Sequence, residues 1–173
     1  MKKRIVISSA ILLAASVALA QESRSSGVSV RGGAFFPVND MGRTEGNTWF
    51  GGGLDYRVAD VRMGRMGSTQ TAHWSLSVDF YNKGDLSAFP IMANYCLHNN
   101  ELYYFVGAGV SFVRDYTVVG AARSKRNRTT FAYRAGLGYD FQKGSNPLFV
   151  EGSFFGNSAS ALNGLGVYVG IRL

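Results

Sequence analysis

The sequence is poor in several things that would otherwise decide its class. It has one cysteine, Cys96, so no internal disulfide forms. It has only three prolines and no sustained helical period of apolar residues, which argues against proline-rich linkers and helix bundles. Past residue 20, no apolar run approaches the roughly 20 residues that a membrane-spanning helix needs. Any spanning must therefore be done by strands. Charge is also sparse, at 17% of residues. The formal net charge of +7 overstates the basic surplus, because Lys2, Lys3 and Arg4 sit in the leader. Without those three, 15 basic residues face 11 acidic ones, which gives little support to a nucleic-acid partner.

The start of the chain reads as a secretory signal. Lys2, Lys3 and Arg4 precede an apolar stretch from Ile5 to Leu19, and Ala18-Leu19-Ala20 supplies the small-x-small cleavage pattern. The expected domains are a removed signal peptide at 1–20 and one β-barrel domain at 21–173.

What is plentiful is glycine, 22 residues, together with aromatics at 13%. Eight stretches alternate apolar with small or polar residues and are separated by turn signals. They are Val28–Phe36, Thr48–Val58, His73–Tyr81, Ala88–His98, Leu102–Val113, Thr130–Phe141, Leu148–Phe155 and Leu165–Leu173. Most have the length a tilted strand needs to cross a bilayer.

Sorting each stretch by parity separates two faces. One carries only apolar and small residues. The other carries every strand charge: Arg31, Asp55, Arg57, Asp79, Arg134, Asp140, Glu151 and Arg172, four of each sign. Aromatics on the apolar face cluster near strand ends. Phe36, Phe50, Phe80, Phe89, Phe112, Phe131, Tyr133 and Phe154 fall toward one boundary, and Tyr56, Trp74, Tyr95, Tyr104, Tyr139 and Phe141 toward the other. Two aromatic girdles around an aliphatic belt are what a lipid-facing barrel presents. The expected fold is all-β: an eight-stranded antiparallel up-and-down transmembrane β-barrel. It lies in the cell outer membrane with its charges inside and its N-terminus in the periplasm.

Three features fit less simply. The connection at 59–72 is long where a tight periplasmic turn is expected. Pro90 lacks a ladder donor and is assigned to the outer rim of strand four, where pairing has ended. The final residue is Leu173.

Phe105-Val-Gly-Ala-Gly-Val110, Ala132-Tyr-Arg-Ala-Gly-Leu-Gly-Tyr139 and Gly166-Val-Tyr-Val-Gly-Ile-Arg-Leu173, with the signal peptide, resemble the eight-stranded outer-membrane barrel family of the OmpA transmembrane domain and OmpX. The resemblance implies insertion by the barrel assembly machinery. Such barrels usually end in an aromatic residue, and Leu173 departs from that pattern. The family speaks to fold and location more than to activity.

The inward charges are expected to pair as a structural polar core, the alternative being a switchable ion gate. The segment from Arg114 to Arg128 is read as an external loop with Arg114, Arg123, Lys125, Arg126 and Arg128 against only Asp115. That is a candidate site for lipopolysaccharide phosphates or another polyanion. His73-Trp74-Ser75 invites comparison with the His-x-Ser pair of lipid A deacylases, but parity turns both side chains into the lumen. No catalytic set, cofactor or metal site is assigned, since His98 has no second ligand in view. The expected role is a non-enzymatic, monomeric barrel in contact with outer-membrane lipids, serving envelope integrity or surface adhesion. The alternatives are a narrow ion channel, a lipid A-modifying enzyme, or a soluble periplasmic ligand-binding barrel.

Overall fold

The computed structural model describes residues 27–61, 70–119, 122–141 and 147–173. The expected signal peptide at 1–20 therefore lies outside the described residues. Eight strands form in the expected order: β1 Val28–Pro37, β2 Trp49–Val61, β3 Gln70–Lys83, β4 Leu86–Asn99, β5 Leu102–Val119, β6 Ala122–Asp140, β7 Leu148–Asn157 and β8 Gly164–Arg172. Each pairs antiparallel with the next, and β8 pairs back onto β1, so the sheet closes into a barrel. Closure leaves no unpaired edge around the wall, which a bilayer demands of strands.

The turns follow from local chemistry. Gly84-Asp85 closes β3 onto β4 with Gly84 at φ 56°, the positive φ that a two-residue hairpin requires at its first position. Asn100 takes the same role between β4 and β5 at φ 57°, using the tolerance of asparagine for that region. A six-residue helix α1, Asp40–Glu45, fills the β1–β2 connection, capped by the Asn39 side chain, which accepts from the Met41 amide at 2.9 Å. A single 3-10 turn, Ser160–Leu162, crosses between β7 and β8.

Three expectations need correction. The long connection after β2 is partly strand, because Val61 pairs with Ala72 and only residues 62–69 remain, outside the described residues. The Arg114–Arg128 segment is a β-hairpin, not a loop, with β5 and β6 paired out to Val119 and Ala122. Pro90 is not at a rim where pairing has ended. It is fully buried within β4 and opposes Ser111 on β5, while the β3 ladder skips from the Val78–Ile91 pair to the Tyr81–Ala88 pair. A residue without an N–H is tolerated by interrupting one ladder only.

The apolar face points outward. Phe50 is 70% exposed, Val169 60%, and Leu54, Leu76, Val106, Leu137 and Val167 are similarly open. Such a continuous belt cannot be left facing water. The inward face holds Arg31, Asp79, Arg134 and Glu151, all buried. This is the reverse of a soluble barrel, whose core is apolar.

Candidate functional site

The lumen is filled in layers. At the end where α1 and the 3-10 turn lie, Phe35, Trp49, Tyr81, Phe155, Leu162 and Tyr168 pack with 0–2% exposure. The Phe35 ring stacks on Tyr81 at 4.2 Å, and Tyr81 Oη donates to the Leu162 carbonyl at 3.1 Å. Asn157 Nδ2 donates to that carbonyl at 3.3 Å, tying β7 to the same point. The plug thus joins strand side chains to the backbone of a cap.

Below it sits a buried charge cluster. Arg31 reaches Asp55 at 2.7 Å and Asp79 at 2.6 Å, and Arg134 reaches the same two carboxylates at 2.9 and 3.3 Å. Glu151 stands 3.7 Å from Arg31 and accepts from Tyr103 Oη at 3.3 Å. Arg134 also donates to Asn94 Oδ1 at 2.8 Å and lies over the Phe105 ring at 4.6 Å. Two arginines shared by two aspartates satisfy charges that burial alone would make very costly.

Toward the other end the packing opens into a cavity of about 250 Å³. Its rim carries the Arg172–Asp140 pair at 3.0 Å, with the Arg172 guanidinium over the Tyr103 and Phe149 rings. Arg57 departs from expectation. A bulge between Arg57 and Ala59 turns Asp60 to the same side, and the two pair at the exposed rim instead of across the lumen. Of the eight inward charges, five therefore meet in one cluster, two pair at the rim and Arg57 leaves the network.

His73 and Ser75 both point inward and are buried. Ser75 Oγ donates to Asp55 at 2.5 Å, while His73 Nδ1 has no hydrogen-bond partner. A nucleophile–base pair needs the two in contact, and these side chains serve different neighbours. His98 lies in β4, and its ring is 5.1 Å from that of His73. Among the described residues, no three His, Cys, Asp or Glu side chains gather as a metal site.

The basic hairpin is also more neutral than its sequence. Asp115 holds Arg126 at 3.4 Å and Arg128 at 2.6 Å. Glu45 of α1 holds Arg123 at 2.7 Å, and Asp85 of the β3–β4 turn holds Lys125 at 2.6 Å. The Lys125 hydrogen bond, chiefly, keeps the exposed Asp85 carboxyl below its usual range. Glu45 and Asp85 were not legible as partners, since connection residues carry no face parity. Asn94 was legible, being an inward position of β4.

No protein-family model matches the sequence, and no curated protein matches it. Among solved structures it is similar to the N-terminal β-barrel domain of Pseudomonas aeruginosa OprF. That likeness has 14% identity over 87% of this chain and 97% of that domain, with a TM-score of 0.54. The fold is that of the eight-stranded outer-membrane barrels. A second likeness is to the Yersinia pestis outer membrane protein Ail in a phospholipid bilayer nanodisc, at 15% identity, 84% of this chain, 97% of that one and TM-score 0.47. In this outer-membrane-type barrel an aromatic plug lies over a shared-arginine cluster, with a polar vestibule beneath.

Proposed function

We propose that the chain works as a sealed, non-catalytic barrel of the outer membrane that holds an interlocked cap at the cell surface, in a structural or adhesive role. The signal-like leader, the lipid-compatible belt and the shared fold support the location. One observation carries the sealed reading: six large side chains at the cap end are 0–2% exposed, and Tyr81 among them is hydrogen-bonded to the cap backbone at Leu162. An eight-stranded barrel is only wide enough for side chains to fill, and here they do. The cap itself is braced across three connections, by Arg123 to Glu45 and Lys125 to Asp85. That rigidity suits a displayed surface better than a gate.

The test is planar-bilayer recording of the purified mature protein. A silent membrane is the expected result, and discrete conductance steps from the wild type would overturn the sealed reading in favour of a narrow channel. In cells, deletion is expected to weaken the envelope or surface attachment.

A further inference from the structure

The register of three adjacent strands sets outward side chains in level rows. Ser87, Arg114 and Asn127 oppose one another across β4, β5 and β6. Two residues down each strand lies Phe89–Phe112–Thr129, and two further down Ile91–Val110–Phe131. Rows two residues apart are separated by about 7 Å along the strand. The polar row therefore stands directly on the aromatic girdle, at the height where lipid headgroups begin.

Arg114 differs from its four basic neighbours. Arg123, Lys125, Arg126 and Arg128 each have a carboxylate within 4 Å, whereas among the described residues Arg114 makes no ion pair. Its Nε donates to Asn127 Oδ1 at 3.4 Å, which leaves both terminal nitrogens and the Asn127 amide nitrogen available. Asp85 acts on it only at longer range. A groove of about 340 Å³ opens here, lined by Ser87, Phe112, Arg114, Asn127, Arg128 and Thr129 among others. It offers one unpaired guanidinium, two hydroxyls and an amide N–H₂, with an aromatic ring below and no carboxylate in its wall. A phosphomonoester brings nearly two negative charges and three acceptor oxygens, and guanidinium binds such a group with two parallel hydrogen bonds.

We propose that Arg114, flanked by Ser87, Asn127 and Thr129, clamps the phosphomonoester of a lipid headgroup in the outward leaflet. Of the other hairpin cations, Arg123 and Lys125 brace the cap, and Arg126 and Arg128 are engaged by Asp115, Arg128 lining the groove with its charge already paired. This rests on the membrane placement proposed above.

The experiment uses the folded mature protein in maltoside micelles, which carry no phosphate, with diphosphorylated lipid A as probe and native mass spectrometry as readout. Wild type and Arg126→Ala are expected to retain lipid A equally. Arg114→Ala is expected to bind roughly ten-fold more weakly, the loss of one charge-assisted contact, and dephosphorylated lipid A is expected not to bind. Equal retention by Arg114→Ala overturns the assignment. Displacement of lipid A by millimolar inorganic phosphate or by heparin overturns the lipid source, leaving a soluble-polyanion site. Failure of the membrane reading itself shows separately, as a wild-type chain that gives no heat-dependent mobility shift in the same micelles.

Discussion

The Tyr103 ring lies across Gly138, the residue directly opposite it on β6, so closely that a β-carbon at Gly138 would overlap the ring. Phe105 covers Gly136 and Phe149 covers Gly170 in the same way. Inward glycines thus make shelves on which the lumen aromatics lie flat, which is how large rings fit a narrow barrel. Gly138→Ala is expected to destabilise the barrel by about 1–3 kcal/mol, the usual cost of overpacking. Gly152→Ala, where a β-carbon meets nothing within 4 Å, should cost far less. Urea midpoints followed by gel mobility check the pair.

Asp79 is held between Arg31 and Arg134 and is 1% exposed. Removing it leaves two buried guanidinium groups sharing Asp55. Asp79→Ala is expected to cost about 3–5 kcal/mol, as when one partner of a buried ion pair is deleted. Asp140→Ala, at the partly exposed rim, should cost about 1 kcal/mol or less. Equal losses in the same denaturation assay would contradict the layered lumen.

Val169 is 60% exposed on the outward face of β8, in the middle of the aliphatic belt. Val169→Arg is expected to destabilise the inserted protein by roughly 2–4 kcal/mol, because a cation at the bilayer midplane carries that penalty. Folding into lipid vesicles measures it, and an unchanged midpoint would mean that this face does not meet hydrocarbon.

The plug supplies a gain-of-function test. Tyr81→Ala removes the ring stacked on Phe35 and the hydrogen bond to the Leu162 carbonyl. Conductance absent from the wild type is expected to appear in this variant. Silence in both would place the barrier in the Arg31–Asp79–Arg134 layer.

Acid should loosen the cap before it unfolds the barrel. The folded-state value of Asp85 is depressed, so its contribution is present above the ordinary carboxylate range and is lost as pH falls through that depressed value. Protection of the amides around Lys125, relative to their intrinsic exchange rate at each pH, is expected to fall below roughly pH 4 while wall strands stay protected. Protection at Lys125 that does not change with pH would remove Asp85 as a brace.

The strand count, the two faces and the sense of each side chain were readable from the sequence because alternation is local. A residue's parity depends only on its neighbours, so Arg31, Asp79 and Arg134 were assignable to the lumen from their own strands. Asn94 and Tyr103 were available by the same rule. Arg57 lines the lumen cavity as its parity requires, but it pairs with Asp60, which a bulge that alternation alone does not reveal turns to the same side.

Which inward charges meet was decided only by the closed barrel. Arg31 and Asp79 are 48 residues apart, and Arg134 and Asp55 are 79 apart. Their contact depends on the stagger with which the sheet closes, a property of all eight strands together. The plug and the braced hairpin likewise needed the tertiary structure. Leu162, Glu45 and Asp85 come from connections that no period governs, and their positions are fixed by the ends of strands far away in sequence. Local alternation therefore set the wall of this protein, and global closure set what fills and caps it.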